Sequence, residues 1–290
     1  MLNKFIEVNL VTKNLMNTKI TDNYSKLKPS IFFLPLFFLI TIVLFLYNQD
    51  ALSANKYIQI QKNCFFFLNA KLSQSPHILY NLTQLGDALI FLSLITIFIV
   101  YAPKIWESLL SALLVSAIFS GILKYIFAVP RPAAAFDNNS FVIIGKALSG
   151  HNSLPSGHSI TVFTILTVLL FAFLPKKLNS KILWVSFIII AGLILVFTRV
   201  GVGAHYPLDV IVGSIIGYIS GLAGIFINQK YEIWTWINNI KYYPIFILSF
   251  LICCILLILR IINENLIIYY LSLISLIVTL YKITYVYVKK

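Results

Sequence analysis

Eight apolar runs, at about 31–47, 88–102, 109–123, 160–174, 182–198, 208–227, 245–262 and 266–286, leave this chain of 290 residues little room for a water-soluble fold. Several hold only about 15 strictly apolar residues, but flanking Ser, Thr, Tyr or Trp adds a turn to each, which brings them near the ~20 residues that cross a bilayer. Lipid offers backbone groups no hydrogen-bond partner, so such runs are stable there as helices. Composition agrees, with 60% hydrophobic residues, 11% charged and a mean hydropathy of +0.92. The expected fold is all-α, a polytopic membrane helix bundle with eight spans.

The net charge of +13 raises the question of nucleic acid, but the cations are scattered between spans, with no dense basic run and interleaved aromatics. Topology accounts for them. With the N-terminus in the cytoplasm, 14 of the 22 cations fall on the inner side and eight on the outer: Lys56, Lys62, Lys71, Lys124, Arg131, Lys146, Arg199 and Arg260. This satisfies the positive-inside rule while placing all three arginines on the minority side.

Residues 1–30 are too long and polar for a signal-peptide n-region, and "YNQDALSA" is a poor cleavage site, so the first span is expected to stay as an anchor. Cys64, Cys253 and Cys254 form neither a CxxC nor a plausible bridge. The organisation expected is a cytoplasmic N-terminal tail (1–30), a six-helix core (31–227) and a C-terminal transmembrane helix pair (228–290). Within the core, 48–86 is too polar to span and reads as one or two amphipathic helices at the outer interface.

The polar residues at the outer ends of these spans belong together. Lys124 and Arg131, seven residues apart, are expected along one helical face before Pro130 and Pro132 end the helix. The fourth span opens on Pro155, Ser156, Gly157 and His158, where the serine suits a helix cap and the glycine lets backbone N–H groups approach an anion. "RVGVGAHYPLD" then supplies Arg199, His205 and, one turn into the sixth helix, Asp209. Three permanent cations, a helix N-terminus, two histidines and a carboxylate meet the needs of a phosphate ester: charge on the oxygens is neutralised, one histidine attacks phosphorus, and the other protonates the leaving oxygen. This inventory needs no metal and no cofactor.

These residues resemble the type 2 phosphatidic acid phosphatase family, whose signature is K-x6-RP, PSGH and SR-x5-H-x3-D. The three parts stand in order as Lys124 with Arg131 and Pro132, Pro155 to His158, and Arg199 with His205 and Asp209; Thr198 replaces the usual serine. The resemblance covers about residues 85–225. It implies His205 as the nucleophile that forms a phosphohistidine, Asp209 as its orienting carboxylate and His158 as general acid. Lys124, Arg131, Ser156, Gly157 and Arg199 would hold the phosphate. His77 and His151 read as interfacial hydrogen bonders, and the connection 133–154 as a shaper of substrate choice.

The function expected is hydrolysis of a lipid phosphate at the outer, periplasmic face of a bacterial inner membrane, the Asn, Lys and Ile content pointing to a low-GC genome. Lipid A phosphate, undecaprenyl diphosphate, phosphatidylglycerophosphate and phosphatidic acid all remain candidates. The alternatives are a phosphotransferase passing the phosphoryl group to a second lipid, a vanadium-dependent haloperoxidase, which shares the motifs but is soluble, and a non-catalytic transport or assembly protein. No feature of the sequence fixes the oligomeric state.

Overall fold

The computed structural model describes residues 2–289, with side chains from residue 13; Lys290 and the Lys4 side chain, both counted among the inner cations, lie outside them. Among the described residues the chain forms α1 (Leu2–Ser25), α2 (Phe33–Asn48), α3 (Ala54–Leu72), α4 (Pro76–Thr83), α5 (Ala88–Ile95), α6 (Phe98–Tyr101), α7 (Pro103–Phe127), α8 (Pro132–Ala135), α9 (Gly157–Ala172), α10 (Leu178–Gly201), α11 (Pro207–Tyr231), α12 (Tyr243–Asn263) and α13 (Ile267–Val288). The chain is an all-helical, multi-pass membrane protein.

Among the described residues six helices are long and apolar enough to cross a bilayer, those built on α2, α7, α10, α11, α12 and α13, or seven if the bent pair Pro76–Gly86 and Ala88–Ile95 is one span, against the expected eight; Gly157–Ala172 is a shorter apolar helix. The other two runs fold differently. Run 88–102 becomes α5 and α6, broken at Thr96, whose hydroxyl bonds the Ser93 carbonyl (2.9 Å) and lies 2.9 Å from that of Thr279. A neighbouring helix thus supplies the polar partners that make a break tolerable in lipid. The run around 160–174 becomes the 16-residue α9, about 24 Å long at 1.5 Å per residue, short of the ~30 Å hydrocarbon core.

α11 is the axis of the bundle: 56% of its apolar window is buried, against 28% or less in the other long spans. Its glycines make this possible. A Cβ at Gly213 would stand 2.7 Å from the Ser156 carbonyl, and one at Gly221 2.6 Å from Thr167 Cβ, so a side chain there would push α9 away. This close packing brings the N-termini of α9 and α11 to the same end of the bundle.

The segment expected to be a tail contains α1, whose last turns dock at the opposite end. Asn23 donates to the carbonyls of Ala172 (3.0 Å) and Leu174 (3.1 Å), and the Tyr24 hydroxyl to that of Val168 (3.2 Å). Segment 48–86 does form two helices, α3 and α4. Along α3, Tyr57, Gln61, Phe65 and Asn69 recur every fourth residue and are all buried, giving it one inward face over the end where α9 and α11 begin.

Candidate active site

Lys124 sits in the last turn of α7. That helix stops earlier than the spacing predicted: Ala128 takes a left-handed conformation (φ 43°), and Pro130 has no N–H with which to continue. Arg131 is therefore not on the α7 face but in the extended residue preceding α8. The returning loop fixes it there, since its N–H donates to the Gly150 carbonyl (2.9 Å) and its Nε to Asn152 Oδ1 (2.7 Å). His151, between those two residues, is exposed, as is His77.

Ser156 caps α9, its Oγ accepting from Ser159 N at 3.4 Å, while its own N–H donates to the Asp209 carbonyl at 3.0 Å. Only its hydroxyl proton is left for a ligand. At Gly157 a Cβ would lie 3.0 Å from Lys124 Nζ, so the missing side chain is what lets the ammonium reach the α9 N-terminus. His158, half-buried, follows in the first turn of α9.

Arg199 closes α10 and donates through Nη1 to Thr83 Oγ1 at 2.9 Å. Gly203 (φ 78°) turns the chain so that the N–H groups of Ala204 and His205 donate back to the Arg199 carbonyl at 3.0 and 3.3 Å. His205 thereby points into the bundle, 1% exposed, just before Pro207 opens α11. Thr198 turns its hydroxyl to the Leu195 carbonyl, within its own helix.

Asp209, fully buried, is held by three donors: Tyr57 Oη to Oδ1 (2.7 Å), Ser153 Oγ to Oδ2 (2.5 Å) and the Tyr206 N–H to Oδ2 (3.0 Å). His205 Nδ1 lies 3.5 Å from Asp209 Oδ2 and 3.4 Å from Ser153 Oγ, so Nε2 is the nitrogen left for other chemistry. Burial first, and then the charges of Arg131, Arg199 and Lys124, hold the His205 pKa well below the usual histidine value. The imidazole is neutral at neutral pH, and its approach to Asp209 is then a contact of a dipole with a carboxylate rather than an ion pair. Burial and then the charge of Asp209 raise the Tyr57 pKa well above 10, keeping that hydroxyl a donor.

The eight residues singled out from sequence thus lie at one end of the bundle, and His158 is within electrostatic reach of Arg199, His205, Arg131 and Lys124. Among the described residues, Arg131 Nη1 and Arg199 Nε are buried donors with no acceptor. Sequence reasoning missed Tyr57, Thr83, Asn152 and Ser153. Ser153 and Asn152 stood beside the Pro155–His158 turn, and Tyr57 belonged to the four-residue stripe of α3; Thr83 had no local signal.

Residues 106–233 match the model of the PAP2 superfamily. That stretch contains all eight residues, while Tyr57, Thr83 and α12–α13 lie outside it. An undecaprenyl-diphosphatase of Sulfolobus acidocaldarius is similar, 33% identical over 114 residues, 39% of this chain and 50% of that one. The chain thus spans about half the length of this curated relative. The crystal structure of Aquifex aeolicus LpxE aligns with a TM-score of 0.47 and 27% identity, over 59% of this chain and 96% of that one.

Proposed function

We propose that this protein is a lipid phosphate phosphatase that works through a phosphohistidine on His205. The observation that carries the reading is the pair of orphaned guanidinium donors, on Arg131 and Arg199, beside a buried neutral imidazole. Buried donors in proteins are nearly always paired, and a phosphate offers acceptors matched to such groups.

In the proposed reaction the three cations and the α9 N-terminus hold the phosphoryl oxygens, and His205 Nε2 attacks phosphorus as the bond to the leaving oxygen breaks. His158, which takes up a proton once the bound phosphate's negative charge offsets the neighbouring cations, gives that oxygen its proton. Asp209, fixed by its three donors, orients Nδ1 and balances the charge that develops on the ring. Water, deprotonated by His158, then attacks the phosphohistidine; inorganic phosphate leaves and His205 returns neutral. Charge compensation comes from Lys124, Arg131 and Arg199, so no metal is assigned a role.

The lysine asymmetry supports a site on the outer face. A phosphate site at the end of a membrane bundle suits a substrate whose chains stay in the bilayer. Among the candidates, a prenyl diphosphate has the added support of the similar undecaprenyl-diphosphatase. The test is to give purified protein undecaprenyl diphosphate, phosphatidylglycerophosphate, phosphatidic acid and lipid A phosphate in detergent and to measure released phosphate. His205→Ala is expected to abolish release from whichever lipid is hydrolysed, and turnover surviving in that variant would refute the assignment.

A further inference from the structure

An apolar cavity of about 1090 Å³ between α2 and α10, floored by α9 and α11, has its rim at the end of the bundle away from this site and runs inward as far as Ile211 in the second turn of α11. Along α10 its lining runs from Lys181 to Leu193, about 18 Å at 1.5 Å per residue and so more than half of a ~30 Å hydrocarbon core. The charged lining is gathered at one rim, in Lys26, Lys176 and Lys181, all exposed. Lys26 is partly offset by Asp22 at 2.6 Å. We propose that this slot holds an acyl chain of an anionic phospholipid whose phosphate rests on the three lysines. The ligand belongs to the leaflet opposite the phosphatase site, because Lys176 follows the C-terminus of α9 whereas His158 stands at its N-terminus.

The test uses delipidated full-length protein and native mass spectrometry with phosphatidylglycerol and phosphatidylcholine of identical chains. The anionic lipid is expected to bind tighter by on the order of 10- to 100-fold, given about tenfold or less per lysine. The preference should vanish in Lys26→Gln/Lys176→Gln/Lys181→Gln, and inorganic phosphate should not displace the lipid. Equal binding of the two lipids, an unchanged preference in the triple variant, or displacement by inorganic phosphate would each overturn the proposal.

A separate set of contacts gives α12 and α13 a role. α4, the 3₁₀ turn Gln84–Gly86 and α5 make a corner bent by 79°. Its inner side meets the site twice, with Thr83 accepting from Arg199 and Gly86 so close to His158 that a Cβ would lie 2.6 Å from the imidazole Cδ2. The C-terminal pair ties its outer side. Arg260 Nη2 bonds Asp87 Oδ2 (2.9 Å), the carboxylate whose other oxygen caps α5. Glu264 Oε1 accepts from Tyr80 Oη (2.9 Å), and the Ile268 N–H donates to Asn81 Oδ1 (3.2 Å). We infer that Arg260 and Glu264 are positioning residues that hold this corner, and through it Arg199 and His158.

This inference rests on the phosphatase reading only for its kinetic consequence, so binding of inorganic phosphate is measured by calorimetry as well as turnover. Arg260→Gln/Glu264→Gln is expected to weaken phosphate binding on the order of tenfold and to lower kcat, with Arg260→Lys retaining most of both. A double variant that loses thermal stability but binds phosphate as wild type would overturn it. If no lipid were hydrolysed even by wild type, the phosphatase reading would fail while the phosphate measurement still decided this one.

Discussion

Tyr57→Phe is the sharpest probe of how the buried carboxylate works, because it removes one oxygen and leaves the ring in place. The Tyr57 hydroxyl is one of three donors to Asp209, at 2.7 Å, and the carboxylate is wholly shielded from water. Without it Oδ1 keeps no donor, since Ser153 and the Tyr206 N–H both serve Oδ2. A hydrogen bond to a charged group contributes about 1.5–3 kcal/mol. At about 2 kcal/mol the loss corresponds to roughly 30-fold in an equilibrium or rate constant. Part of it should appear as a lower thermal midpoint, because Asp209 becomes a worse-solvated buried charge. The remainder should appear in kcat/KM for lipid phosphate release, because a carboxylate free to swing holds Nδ1 of His205 less firmly. Ser153→Ala, which removes a donor from Oδ2 and a neighbour from Nδ1, should cost at least as much. Combining the two should be non-additive, since both act on one carboxylate. Wild-type values of both thermal midpoint and kcat/KM in Tyr57→Phe would refute the picture of Asp209 as a carboxylate held by its donors.

Asp209→Asn should keep substrate binding but slow turnover by a factor on the order of 10² to 10⁴, read as a fall in kcat with little change in KM. Gly157→Ala should displace the Lys124 ammonium from the α9 N-terminus, weakening phosphate inhibition on the order of tenfold with only a small change in thermal midpoint. The pH profile follows from His205, whose folded-state pKa lies below its unfolded value near 6.5. Between the two values the unfolded chain binds more protons, so this group costs the fold stability as pH falls from about 6.5 towards the depressed pKa and has no effect above that window. The neutral, nucleophilic form persists over the same interval, so the acid limb of kcat/KM assigned to His205 should lie below pH 6.5; a limb above it would contradict the burial of the imidazole.

What the sequence made legible, and what it did not, divides along the distance between interacting residues. Each of the three motifs is local, and hydropathy alone locates the helix end on which each one sits. Consistent alternation of those ends gathers Lys124, His158, Arg199 and His205 without any knowledge of packing. Arg131 shows the limit of spacing, since seven residues predict one helical face only while the helix continues, and Ala128 ends it in a left-handed turn. Run 88–102 is not one continuous helix because side chains compete with the helix ladder: Thr96 bonds Ser93 and meets Thr279, a partner 183 residues away that no window of hydropathy contains. The bonds of Tyr57 and Thr83 to Asp209 and Arg199 were hidden for the same reason, spanning 152 and 116 residues, although the stripe of α3 marked Tyr57 as facing inward. The residues proposed to meet phosphate are therefore written in short motifs; of those that hold them, Ser153 and Asn152 lie inside the stretch that matches the PAP2 superfamily, whereas Tyr57 and Thr83 come from α3 and α4, outside it. Tyr57 and Thr83 reach Asp209 and Arg199 only through the packing of α3 and α4 over this end of the bundle, which is why no short motif announces them.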